Sequence, residues 1–180
     1  MRQLRKKAGI RRLFREHEDA WAEVRLRVLL QDWDDGYNVG GMFRVADAVG
    51  AEELILTGKT PTPETSPTLG VTSMGAHRRV AWRQVASYVD AARALREEGW
   101  TLVAVEVTDD AVPHNAFDYP ERTCLVLGAE GGGVYEKVLR ECEAAVFIPM
   151  AGKGRSLNVH VAGAIVAFEA RLTRSDVSSS

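Results

Sequence analysis

Short apolar runs recur along this chain at fairly regular intervals, and most are separated by a stretch with helical spacing or helix punctuation. In "AEVRLRVLLQDW" the alternating Val24, Leu26 and Val28 lead into Leu29 and Leu30, the pattern of a strand that becomes fully buried. "VGGMFRVADAVG" then reads as a helix stopped by Gly50, and "EELILTG" as a strand bounded by Gly58. "VASYVDAARALREEGW" has helical periodicity through Val85, Val89, Ala92 and Leu95, "TLVAVEV" and "TCLVLGAE" read as strands, "VYEKVLRECEA" as a helix and "AVFIPM" as a strand. Residues 152–170, "GKGRSLNVHVAGAIVAFEA", supply a closing helix. Strands alternating with helices predict an α/β domain with a mainly parallel sheet covered by helices on both faces. Ligands of such sheets bind beyond the carboxyl ends of the strands.

A chain of 180 residues is long enough for one domain with a real core, and no internal repeat divides it. The predicted organisation is a basic N-terminal arm (1–23), a single domain (24–174) and a disordered tail (175–180) ending in "SDVSSS". No apolar run approaches the roughly 20 residues of a membrane span. The N-terminus has no apolar core segment of a secretory signal, so a cytoplasmic location is expected. Seven cationic residues, Arg2, Arg5, Lys6, Lys7, Arg11, Arg12 and Arg15, precede the first acid, Glu16. A solvated arm and a phosphate-contacting arm are both open readings. Cys124 and Cys142 lie far apart, without histidines at ligand spacing, and read as apolar thiols; no metal site is expected.

The segment "KTPTPETSPTLGVTSMGAHRRVAW" carries Pro61, Pro63 and Pro67 and is predicted to be a long loop. That leaves three polar strand exits. In "DDGYNVGGMFR", Asn38 is either a helix cap or a site residue, and Arg44 either a surface charge or a fork of donors for a phosphate or developing oxyanion. In "LGAEGGG", glycines admit a close backbone approach around Glu130. In "IPMAGKGRSLN", Ser156 and Asn158 are positioned either to cap a core helix or to hold a ligand at its mouth. Neither a dinucleotide fingerprint nor a phosphate-binding loop is present.

Taken together and in order, "NVGGMFR" (38–44), "LGAEGGG" (127–133) and "IPM" (148–150) with "SLNV" (156–159) resemble the three motifs of the SpoU/TrmH branch of SPOUT RNA methyltransferases. The likeness covers roughly residues 24–172. It implies S-adenosylmethionine as cofactor, a ribose 2′-hydroxyl of tRNA or rRNA as methyl acceptor, a C-terminal trefoil knot and a homodimer. Carried over residue by residue, it implies cofactor contacts at Glu106, Val107, Leu127, Gly128, Gly131, Ile148, Met150, Ser156 and Leu157, with Asn38, Arg44, Glu130, Ser156 and Asn158 as the polar site residues. It also implies that Ser156 and Asn158 together hold the mouth of the last helix. His160 departs from the small residue common after Asn-Val in that family. No separate RNA-binding domain precedes the motifs, so the basic arm is expected to take that part. Two alternatives remain within reach: a base-directed methyltransferase of the same superfamily, and a catalytically idle RNA-binding dimer.

Overall fold

The computed structural model describes residues 3, 6–18, 21, 23–154 and 156–172. Seven strands form one sheet: β1 (Arg25–Gln31), β2 (Glu53–Thr57), β3 (Ala81–Val85), β4 (Thr101–Val105), β5 (Val112–Pro113), β6 (Arg122–Leu127) and β7 (Ala144–Phe147), in the order β3-β2-β1-β6-β4-β7-β5. Every pairing is parallel. Such a sheet needs cover on both sides, because parallel strands present apolar side chains to both faces. Leu26, Val28 and Leu30 of β1, with Leu54, Leu56, Leu125 and Leu127, pack under helices α2 (Gly36–Val49) and α6 (Val159–Arg171). Leu29, Ile55, Cys124, Val126 and Ala104 face the other way, under α4 (Tyr88–Glu97) and the short α5 (Glu136–Leu139). Both thiols are pushed well above their ordinary pKa by burial, Cys142 to about 12, so neither is poised as a nucleophile.

The proline-rich segment is more ordered than its composition predicts. Pro67 occupies the first turn of a helix, α3 (Pro67–Thr72), where its missing N–H costs nothing, and Ser66 Oγ caps it by accepting from Leu69 N at 3.3 Å. A 3-10 turn over Ala76–Arg78 then leads into β3. Val85, predicted as helical, ends that strand instead; with Trp82, Arg83 and Gln84 at its centre, β3 lacks the apolar signature of the inner strands. The two-residue β5 was likewise not predicted, and its proline suits an edge. The helix expected over "VYEKVLRECEA" shrinks to the four residues of α5.

Within the N-terminal arm, α1 (Lys7–Arg15) is a helix with no buried residue. Trp21 bridges to Leu172 and its ring lies 6.0 Å from that of Phe168. The 175–180 tail lies outside the described residues.

Candidate functional site

Three connections leave the carboxyl edge of the sheet at neighbouring strands, β1, β6 and β4, and a fourth leaves β7 beside β4. After β1 the chain turns through Asp32 (φ 58°), buries Trp33 and enters α2, which Asp35 caps by accepting from Tyr37 N at 2.8 Å. Asn38 therefore lies inside the first turn and is not the cap. It is 6% exposed, so its amide must find partners.

The glycines beside it are explained by packing. A Cβ on Gly40 would overlap Thr72 of α3, and one on Gly41 would come within 2.9 Å of the His160 ring from α6. "NVGG" is thus the stretch of α2 against which two other helices close.

The exit of β6 folds into a tight turn. Ala129 and Gly133 exchange backbone hydrogen bonds of 3.1 and 2.9 Å, with Glu130 at the tip and Gly133 at φ 63°. Two side chains fix this turn from outside. Gln31, fully buried at the end of β1, donates to Gly133 O at 3.1 Å and accepts from Tyr135 N at 2.8 Å. Glu106, at the exit of β4, accepts from Val134 N at 2.8 Å and from Val107 N at 2.9 Å. Glu106 is therefore already occupied in joining two strand exits.

At the exit of β7 the chain runs through Ile148–Met150 to α6, which Asn158 caps by accepting from His160 N at 3.0 Å. Asn158 also reaches across to α2. Its Nδ2 donates to Asn38 Oδ1 at 3.0 Å, while Asn38 Nδ2 donates to Glu130 Oε1 at 2.7 Å. Ser156 takes no part in the cap; it lines the cleft, and the expectation of two residues sharing the helix mouth gives way to Asn158 alone. Partial burial holds the Glu130 carboxyl above its usual range, and the nearby Asp34 acts in the same sense, against the hydrogen bond from Asn38.

Between these exits lies a cleft of ≈ 600 Å³, within the size range of small-molecule sites. Glu106, Val107, Leu127, Gly128, Gly131, Ile148, Met150, Ser156 and Leu157 all line it, as do Asn38, Glu130 and Asn158. Arg44 does not. It stands exposed on α2, nearly two turns beyond Asn38. Around the cleft Val107 (72%), Met150 (41%) and Leu157 (37%) leave apolar surface uncovered, which suits a ligand with a flat apolar part, while backbone groups of Gly128 and its neighbours offer polar contacts. Among the described residues no group of three or more His, Cys, Asp or Glu is placed to hold a metal.

Sequence reasoning missed Gln31 and Gly133. The signal for Gln31 was there, a lone amide closing an otherwise apolar strand. That for Gly133 was diluted by the two glycines before it.

A family profile described as the SpoU rRNA Methylase family matches residues 25–168. The chain is 37% identical over 149 residues to the tRNA (guanosine(18)-2′-O)-methyltransferase of Thermus thermophilus, an alignment spanning 83% of this chain and 75% of that one. The AdoMet-bound rRNA methyltransferase from Sinorhizobium meliloti matches with a TM-score of 0.76 at 32% identity, over 81% of this chain and 55% of that one. A solved structure described for 2-OH methylation of C/U34 on tRNA matches with a TM-score of 0.73 at 28% identity, over 83% of this chain and 95% of that one.

Proposed function

The chain belongs to the SpoU methylase family, and from that premise we propose that it transfers the methyl group of S-adenosylmethionine to a ribose 2′-hydroxyl of tRNA or rRNA. The observation that carries the reading is the hydrogen-bonded set Asn38, Glu130 and Asn158, one residue from each of three motifs, joined at the edge of the cleft.

When bound, S-adenosylmethionine supplies a methyl group already activated by a sulfonium, so the protein's task is placement. Met150, Leu157 and Val107 offer the apolar cover for the cofactor, and the turn at Gly128 lets the backbone approach it. Asn38, locked by Glu130, Asn158 and His160, presents a fixed polar edge beside the acceptor hydroxyl. Arg44 uses its planar fork to orient the ribose oxygen and the adjacent phosphate, stabilising charge as it develops on the oxygen.

Arg44→Lys keeps the charge and loses the fork. The expected result is a fall in methyl transfer of about a hundredfold with cofactor affinity unchanged, measured by transfer of labelled methyl to RNA and by calorimetry. Digestion of the labelled RNA to nucleosides tests the reading itself. A 2′-O-methyl nucleoside supports it, a base-methylated nucleoside favours the base-directed alternative, and RNA binding without label leaves the idle dimer.

A homodimer and a cytoplasmic location belong to the same reading; no helix among the described residues is long and apolar enough to cross a membrane. Support for the dimer comes from α6 and the residue after it. Val161, Ile165, Phe168 and Leu172 recur at spacings of four, three and four and remain 36% to 42% exposed, the seam by which two helices pack. Phe168→Glu would bury a charge there, and light scattering should register a shift from two copies to one. The C-terminal knot is supported by the late β7 lying between the earlier β4 and β5 before α6 returns to α2. The helix α1, with Lys7, Arg11, Arg12 and Arg15, provides cations for RNA phosphates.

A further inference from the structure

His160 follows the last motif, at a position where the family commonly has a small residue, and it joins the same network. Its Nδ1 lies 2.9 Å from Asn38 Oδ1. The direction of that bond can be worked out. Asn38 Nδ2 is committed to Glu130 Oε1, so the end turned towards His160 is the amide oxygen, which can only accept. Nδ1 must then carry a hydrogen, and the neutral ring keeps its lone pair on Nε2. Asn158 holds the same oxygen from the other side. The ring itself is laid against α2 at Gly41, where a Cβ would come within 2.9 Å of Cδ2 and 3.2 Å of Nε2. Arg44 follows Gly41 by three residues, on the same side of that helix. No described residue bonds Nε2.

We propose, on the methyl-transfer reading above, that His160 Nε2 accepts the proton of the ribose hydroxyl. The hydroxyl oxygen forms its bond to the methyl carbon as its O–H bond breaks. The proton passes to Nε2, and the electron pair of the methyl–sulfur bond stays on sulfur. One positive charge leaves the sulfonium and one appears on the imidazolium, which faces Glu130 through the Asn38 amide. This divides the labour: Arg44 steadies the oxygen and phosphate, and His160 removes the proton that an arginine cannot. The titratable and charged groups around it are Glu130 through Asn38, Asp34 and Asp35 ahead of α2, and Arg44 and Asp47 on α2. A second 3-10 turn, over His114–Ala116, packs against α6 and adds His114.

His160→Asn separates the two nitrogens, because an asparagine amide can keep the Nδ1-like donor to Asn38 but has no Nε2 lone pair. Single-turnover methyl transfer to RNA would be followed from about pH 5.5 to about pH 9, and loss of a general base is expected to cost on the order of a hundredfold. In the wild type the rate should fall on the acid side, and in His160→Asn that limb should vanish. Cofactor affinity and thermal unfolding should stay close to wild type. A His160→Asn enzyme with the wild-type rate, or one that keeps the acid limb, overturns the inference while leaving methyl transfer intact. A wild type that methylates no RNA overturns the methyl-transfer reading and this inference with it. Independently of activity, the ¹⁵N shifts of His160 in the free protein, assigned by their loss in His160→Asn, should report the Nδ1–H tautomer; the Nε2–H tautomer would exclude Nε2 as the acceptor.

Discussion

Replacing Gly128 by valine should weaken cofactor binding by roughly a hundredfold or more while the sheet stays folded. A Cβ at this position would overlap the carbonyl carbon of Gly133 and the amide nitrogen of Val134, and both are backbone, which cannot step aside as a side chain can. The 129–133 turn must open. With it go the Ala129–Gly133 pair, the Gln31 bond to Gly133 O and the Glu106 bond to Val134 N. At about 1 kcal/mol each, and with 1.4 kcal/mol worth about tenfold in affinity, the loss amounts to roughly a hundredfold or more. The resemblance implies a contact between Gly128 and the cofactor. The structure adds that the residue is also required by the chain's own approach to itself. Gly70, on α3 and outside the cleft, is the control: a Cβ there meets nothing within 4 Å, so Gly70→Ala should bind almost normally. Calorimetry on both variants, with circular dichroism to follow the fold, decides the matter. Undiminished affinity in Gly128→Val would show that the cleft is not the cofactor site.

Asn38→Asp should cost roughly a hundredfold to a thousandfold in methyl transfer near neutral pH, although it changes one NH₂ to an oxygen. The oxygen that receives Asn158 and His160 is retained. What reverses is the contact with Glu130, where a donor at 2.7 Å becomes a second carboxyl group. Two carboxylates so close cannot both ionise, and one must hold a proton or move away. Either outcome disturbs a group already raised by burial and by Asp34. Asn38→Ala supplies the comparison, since it removes every partner without adding charge. If Asn38→Asp works at the wild-type rate, the Asn38–Glu130 contact has no part in the reaction.

The sheet was legible because its inner strands are buried on both faces and spell out apolar runs, as in Val28–Leu30 and Cys124–Leu127. The edges were not. β3 is built from Ala81, Trp82, Arg83, Gln84 and Val85, exposed and half-buried side chains whose pattern competes with the helix that follows, and α3 hides behind a proline whose helical role depends on Ser66 capping it. At the site, the motifs pointed to residues of which all but Arg44 line one cleft. What they could not convey is which atoms bond to which. Asn38 as a cap and Asn38 as a link are equally consistent with a polar residue near a helix start, and only the position of Asp35 three residues earlier separates them. The same holds for Ser156 and Asn158. Gln31 stands out locally as an amide closing its strand, but its partners, Gly133 and Tyr135, lie more than a hundred positions away, so its role was not legible.

That separation bears on how the chain acquires its site during synthesis. β1 sits between β2 and β6, so the first half can form β1, α2 and β2 by local pairing as it emerges, whereas the β1–β6 pairing awaits a segment nearly a hundred residues later. Closing such distant contacts is slow compared with local pairing. Asn38 meets Asn158 and His160 across 120 and 122 positions, and Gln31 meets Gly133 across 102. A half-made chain on the ribosome therefore carries an early α2 whose Asn38 amide and closely spaced glycines stand open to water. The cleft becomes competent only when α6 has been made and has settled onto that helix, so translation time, more than the stability of any single element, sets the earliest moment at which a ligand can be held.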